Sequence, residues 1–500
     1  MKKYLIVQLC LLFSGLALPF LFWGEGLGLN LFLLELLLLG GLFLNQQSLF
    51  RESTAPFLIG AWALSILMYL LNHNGYALTV NIGSMLGLVG LAQYRTVRFI
   101  WAGLGLGLWS FGLGPHRYVS WMLEQHAGES RLSEIYRWLR LTILPGVVVF
   151  IFLILYCIAS PRFGNLLFDT LDFLLSWTQL EGMTGRVFLF FFGAFLAIPF
   201  ALQQKEKKAH RWEALQETLV RQPGNDSLWR TIWGIRGILA LKKEYRMGII
   251  VLSALNVLLL LVNGIDLTYV WLNFSEASAA ELSQYVHAGT QVLIATILMA
   301  AALILYFFRA NLNFYPDHKP LQLLATAWLA QNAWLALSVG MRNYRYIEAY
   351  GLTERRIGVF VFLLLTLIGL WAVFQKVHDR KTLAFVFNRT AWGMGIVFLL
   401  MGSFNWEVLV TKYNIHFPSR EGVDAAYLVS QMSTDNLYVL WEEWEQLAEL
   451  DPRLNRAQVV EILRYKNNRL QGKAQDYTWR SWNLPLARNR KYLVQQSPGE

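Results

Sequence analysis

The densest polar chemistry in this chain lies between positions 342 and 356: Arg342, Asn343, Tyr344, Arg345, Tyr346, Glu348, Tyr350, Gly351, Leu352, Thr353, Glu354, Arg355 and Arg356. Arginine presents a planar fork of donors and tyrosine adds hydroxyls, so such a loop can bind an anion. The same residues also suit a plain helical corner. Gly351 can close one helix in a left-handed conformation and Thr353 can cap the next, while Arg and Tyr anchor helix ends at lipid headgroups. Both readings stay open.

Glu35 stands in the middle of an apolar run. A carboxylate there opposes membrane insertion by about 3 kcal/mol, while the surrounding Leu and Phe contribute roughly 0.3 to 0.6 kcal/mol each the other way. It is either an ion or proton ligand or a protonated or hydrogen-bonded carboxyl facing a neighbouring helix. Asn81, Asn256, Gln331 and Asn332 read as interhelical hydrogen-bonding groups. Gly83 and Gly87, like Gly103 and Gly107, have the GxxxG spacing of close helix packing, with no βαβ context for a nucleotide fingerprint. No GxSxG, HExxH, CxxC, P-loop or paired DxD string occurs, the histidines are scattered, and Cys10 and Cys157 lie in apolar segments. No catalytic residue, metal or cofactor is therefore assigned.

The elements that must position these residues are membrane helices. Hydrophobic residues make up 55% against 15% charged, and mean hydropathy is +0.39, more apolar surface than a soluble domain can hide. About twenty apolar residues span a bilayer as a helix. About twelve such segments are expected, near 4–23, 27–44, 56–72, 76–93, 99–114, 141–160, 187–203, 247–265, 288–308, 321–340, 357–374 and 387–404. The fold class expected is all-α and polytopic, with a small helical carboxy-terminal region outside the membrane. Its regions are 1–114, a core over 115–410 and a tail over 411–500, and the first segment is expected to be retained.

The net charge of +10 is spread over particular loops instead of one continuous patch, which points to lipid headgroups and orientation rather than nucleic acid. The basic stretch 203–246 should be cytoplasmic. Counting from it puts 265–287, 341–356 and the tail after 410 outside. It also puts 115–140 inside, and five spans before that loop would leave Lys2 and Lys3 outside. Either the Gly-rich segment 99–114 does not cross fully or the amino terminus departs from the positive-inside rule. Amphipathic pieces are expected at 163–175, around Trp229, Trp233, Ile235 and Leu239, and in the tail at Leu437, Leu440, Trp441, Trp444, Leu447 and Ala448 after Ser433 and Asp435. A second short tail helix is expected from near Asn455.

The run RNYRYIEAYGLTERRIGVFVFLLLTLIGL at 342–370 resembles the signature of a bacterial membrane family known as domain-of-unknown-function family 4173, with a close sibling, 4153. The hallmark is YGLT-x-x-R, here Tyr350, Gly351, Leu352, Thr353 and Arg356. Other strings match: LFWGEGLGLN near the start, LNVLLLLVNGIDLTYVW at 255–271, YVHAGTQVLI at 285–294, FRANLNF at 308–314, WEVLVTKYNI at 406–415, DAAYLVSQMSTDN at 424–436 and WRSWNL at 479–484. The resemblance implies no catalytic residue and marks Tyr350, Gly351, Thr353, Arg356, Asn414, Asp424, Tyr427 and Asp435 as motif positions. With Glu35, Arg342, Arg345 and Glu348 these are the candidate site residues.

Three function classes follow: an envelope sensor or assembly component acting through its tail and outer loops, a transporter or channel-like protein for a small or anionic solute, and a membrane enzyme on a lipid-linked substrate. The expected setting is the bacterial cytoplasmic membrane. The expected partners are the lipid bilayer and an envelope protein met by the tail, with no nucleic acid.

Overall fold

The computed structural model describes residues 2–52, 54–93, 99–125, 166, 184–202, 217–221, 238–272, 290–308, 311–420, 422–451 and 455–492. Among these residues the fold is helical, and β pairing is confined to the isolated bridges Thr218–Lys381 and Ser419–Gly422. The first eleven helices are α1 Lys2–Phe22, α2 Leu29–Asn45, α3 Ala55–Asn72, α4 Gly75–Gln93, α5 Ile100–Gln125, α6 Thr184–Ala201, α7 Ile238–Asp266, α8 Thr290–Phe307, α9 His318–Tyr350, α10 Glu354–His378 and α11 Leu383–Gly402. The later helices are α12 Trp406–His416, α13 Leu437–Glu442, α14 Trp444–Leu450, α15 Arg456–Ala474 and α16 Leu484–Asn489. Among the described residues six helices hold a stretch long and apolar enough to cross a membrane: Tyr4–Phe22, Ala55–Asn72, Gly75–Gln93, Glu244–Asp266, Glu354–His378 and Leu383–Gly402. Leu29–Asn45, Gly185–Ala201 and Ala295–Phe307 are shorter apolar helices. The expected segment 141–160, and the amphipathic pieces at 163–175 and 229–239 apart from Leu166, Ile238 and Leu239, lie outside the described residues.

Packing divides the chain into two compact units, Met1–Glu213 with Leu470–Ala487, and Ala214–Arg469 with Arg488–Glu500. This grouping differs from the sequence regions 1–114, 115–410 and 411–500. In the first unit α1 and α6 run antiparallel, with Gly15 backed against Phe190 and Gly185 against the Trp23 ring. Glycines also bring α4 and α5 into backbone contact. A side chain on Gly90 would strike the Gly103 carbonyl, and one on Gly107 the Leu86 carbonyl, so Gly90 rather than Gly83 answers Gly103.

Both ends of α5 meet the same end of this unit. Gly103 lies beside Gly90, yet Arg117 Nη1 donates to Oε1 of Gln93, one turn from Gly90, at 3.2 Å. In a straight helix Gly103 and Arg117 would be about 21 Å apart along the axis, too far for both contacts. Gly112, Gly114 and Pro115 permit the bend. Beyond it, Tyr118 donates to Gln8 at 3.0 Å and Trp121 stacks on Tyr4, both residues lying near the start of α1. The helix thus goes past the expected end at 114 and turns back.

The second unit is built on α7 to α11, around a core that includes Leu252, Ile304, Leu321, Leu335 and Val339. Its helices are inverted relative to soluble ones. Helix α7 exposes Val257, Leu258, Leu260 and Leu261 while burying Asn263 and Asp266, as expected where lipid is the outer solvent. Helix α9, at 33 residues, is about 50 Å long and exceeds the hydrocarbon thickness. In the tail, Leu437, Leu440 and Leu447 are fully buried, but the expected single run is two short helices separated at Glu443. The helix expected from near Asn455 is α15, with 19 residues, and it begins with a reciprocal cap between Asn455 and Gln458 (2.8 and 3.0 Å).

Candidate functional site

The corner between α9 and α10 carries the YGLT-x-x-R string. Gly351 closes α9 with φ 81° and ψ 177°, a region essentially open only to glycine. Thr353 caps α10 by accepting from Arg356 N at 3.4 Å. Between them Leu352 is gripped by Asn414 of α12, whose Oδ1 accepts from Leu352 N at 2.7 Å and whose Nδ2 donates to Leu352 O at 2.8 Å. A methyl on Gly351 would lie 2.6 Å from Asn414 Oδ1. Gly351→Ala is therefore expected to destabilise this corner by about 1–3 kcal/mol, read as a fall in thermal midpoint of the solubilised protein. Asn414→Ala should cost less, because it leaves the backbone geometry intact. A Gly351→Ala protein as stable as the parent would contradict this account.

The tail is built onto this corner. Glu407 of α12 accepts from Ser433 N (3.0 Å) and Ser433 Oγ (2.6 Å). Burial pushes the Glu407 carboxyl up, the Ser433 hydrogen bonds oppose that, and the nearby Asp435 and Glu354 charges add to it. Lys466, 1% exposed, donates to Leu428 O at 2.9 Å and to Asn436 Oδ1 at 2.5 Å, and burial lowers it to about 8. Asn436 Nδ2 in turn donates to Thr411 at 2.8 Å. Asp424 receives the Tyr427 N–H at 3.0 Å, and the Tyr427 phenol, raised by burial, faces Glu354, Arg356 and Glu407. The Arg356 guanidinium lies 4.2 Å over the Tyr346 ring, near Tyr350, and donates to Gly351 O. Those aromatic faces and that helix-end carbonyl are within its own corner. Arg345 and Glu348 pair at 3.1 Å on the surface, a contact of little energetic weight.

Arg342 points elsewhere, into a polar ladder between α7 and α9. It forms a buried ion pair with Asp266, both side chains under one-tenth exposed. Further along, Gln331 Nε2 donates to Asn256 Oδ1 at 2.7 Å, Asn256 Nδ2 to Leu324 O at 3.0 Å and Asn263 Nδ2 to Gln331 O at 3.2 Å. Asn332 bonds within its own helix, to Trp328 O. Buried acceptors on this interface, Asn263 Oδ1, Asp266 Oδ2 and Gln331 Oε1, have no donor among the described residues. Directly after Asp266 the helix widens into a π turn, Leu267–Leu272, where Trp271 donates to Ser338 at 3.2 Å. In the first unit Glu35 accepts from Trp62 Nε1 (2.8 Å) and Asn81 Nδ2 (3.0 Å). Among the described residues no cluster of three or more His, Cys, Asp or Glu side chains could hold a metal ion.

The model of the domain of unknown function DUF4153 matches residues 57–442. The chain belongs to the DUF4153 family. The match is thus to the family expected as the sibling, and not to family 4173, which the YGLT-x-x-R string resembles. No curated protein and no solved structure matches the chain.

The DUF4153 match takes in the corner, the ladder and α12, and leaves out LFWGEGLGLN and WRSWNL. Those two strings nevertheless meet in the first unit. Glu25, its side chain 1% exposed, accepts from Thr478 Oγ1 (2.6 Å), Thr478 N (3.0 Å) and Ser481 Oγ, and pairs with Arg480 at 2.7 Å. Gly26 N donates to Ser481 Oγ at 2.8 Å and Leu29 N to Trp482 O at 3.0 Å, while Gly28 lies so close to Ser481 that no side chain fits. Burial would raise the Glu25 carboxyl, but the hydrogen bonds and the Arg480 charge outweigh it and hold it below the usual carboxylate range. Glu25, Asp266, Glu407 and Lys466 are missing from the residues chosen on sequence. The strings containing Glu25 and Asp266 were visible, but not what each would meet.

Proposed function

We propose that this multi-pass DUF4153 protein is an envelope sensor or assembly component of the bacterial cytoplasmic membrane, with its tail outside the cytoplasm and an envelope protein as partner. The observation that carries this reading is the two-bond grip of Asn414 on Leu352, which ties the tail to the end of the membrane helix α9. A ligand or partner on the tail would then bias the helices beneath it.

The reading takes about twelve apolar segments, of which α5 turns back and eleven cross. The bend of α5 supports this, because it leaves Lys2, Lys3 and the basic loops 115–140 and 203–246 all inside. The contact of residues 477–483 with the α1–α2 loop supports the same count, since that loop is outside when the amino terminus is inside. The YGLT-x-x-R likeness to family 4173 is taken as a feature common to the two siblings.

A second reading, a transporter or channel-like protein for a small or anionic solute, is favoured by the α7–α9 ladder and its open acceptors. Reporter fusions after Tyr413 and within 205–212 should report opposite sides, and a photo-crosslinking residue at Tyr465, 65% exposed, should capture one envelope protein in an adduct altered by Asn414→Ala. Equal cytoplasmic signals would overturn the topology; adducts with lipid alone would overturn the partner reading.

A further inference from the structure

The proposed outer-face role leaves unused the ionisable group in the middle of the first unit. Glu35 is 5% exposed, and its Oε2 takes both neutral donors, Trp62 Nε1 and Asn81 Nδ2. Asn81 is fully buried, and its own Oδ1 has no donor among the described residues. Among the residues whose side chains are described, the ionisable groups on the helices packed around α2 are Tyr4 and Cys10 on α1, Tyr69 on α3, Tyr76 on α4, and Arg186 on α6. Arg480, in the carboxy-terminal strip, pairs with Glu25. None of these shares a hydrogen bond or ion pair with Glu35. A lone carboxylate in apolar surroundings is costly, and an unanswered buried acceptor adds to the cost. One proton resolves both, because a carboxylic acid and a primary amide can close a ring of two hydrogen bonds.

We propose that Glu35 and Asn81 form a proton-binding pair at membrane depth. An O–H bond forms on Glu35 Oε1 with a proton from hydronium, releasing water, and no electrons change hands. The new O–H donates to Asn81 Oδ1, Asn81 Nδ2 keeps its bond to Oε2, and Trp62 fixes that oxygen. Release of the proton leaves the carboxylate with its two donors and the Asn81 carbonyl unanswered. Because the three groups come from α2, α3 and α4, proton occupancy biases how those helices pack. A sodium ion bridging the carboxylate and Asn81 Oδ1 is the competing occupant.

Infrared difference spectroscopy on the full chain in phosphatidylethanolamine and phosphatidylglycerol vesicles separates the two. A protonated-carboxyl band should be present, lost in Glu35→Gln, moved in Glu35→Asp, shifted in Asn81→Ala as the O–H loses its acceptor, and unchanged when potassium is replaced by sodium at constant pH. If Glu35→Gln fails to fold, the Asn81→Ala shift alone assigns the band. No band sensitive to either position, or one that sodium abolishes at constant pH, would overturn the proposal.

Discussion

Arg342→Met is expected to destabilise the second unit by about 3–5 kcal/mol, because it leaves Asp266 as an unpaired charge under one-tenth exposed between α7 and α9. The Asp266→Asn, Arg342→Met double variant should recover much of that loss, since replacing both charges removes the stranded one. Thermal unfolding of the solubilised protein, read as a double-mutant cycle, gives the coupling. A single variant costing under about 1 kcal/mol would place the pair in the weak class of exposed ion pairs. A double variant as unstable as the two singles combined would show that the residues act separately.

Glu25→Ala should release the carboxy-terminal strip from the α1–α2 loop. It removes the acceptor for Thr478 and Ser481 and the counter-charge of Arg480. The expected cost is about 2–4 kcal/mol, toward the lower end because Arg480 is one-fifth exposed. Glu25→Gln keeps an acceptor and should fall between. Protease cleavage after residue 470, followed on the membrane-embedded protein, reads the release directly. The pH dependence has a definite sign. Glu25 is held below its ordinary carboxylate value of about 4.3. Its contribution is therefore fully present above that value and disappears as pH falls through the lower folded-state one. Attachment that loosens between neutral pH and 5 would contradict the assignment.

What was legible in the sequence follows from which interactions are local. The segments expected at 56–72 and 76–93 coincide with Ala55–Asn72 and Gly75–Gln93, because apolar length is a property of contiguous residues. The turn chemistry of Gly351 and Thr353 is local in the same way, and both sit where the string places them. Asp266 and Arg342 are 76 residues apart, and no periodicity within one helix announces a partner on another. Helix α5 misleads for a third reason: the apolar run ends near Gly114, but Pro115 and Arg117 remain helical, and the bend appears only once Gln93 is known to lie opposite. Gly90, the packing partner of Gly103, was hidden because GxxxG spacing marks a small-residue face without saying what it touches.

The fastening of Glu25 to Thr478 joins residues 453 positions apart, and this sets an order on biosynthesis. The first loop is made long before the ribosome reaches the segment that covers it. Throughout that interval Glu25 lacks its donors on Thr478 and Ser481 and its counter-charge on Arg480, and a chain released early never gains the strip at all. Closure of so distant a contact belongs among the last folding events. The loop after the first helix therefore remains open to proteases and quality-control factors until the strip is docked, so its protection distinguishes a finished molecule from a nascent one.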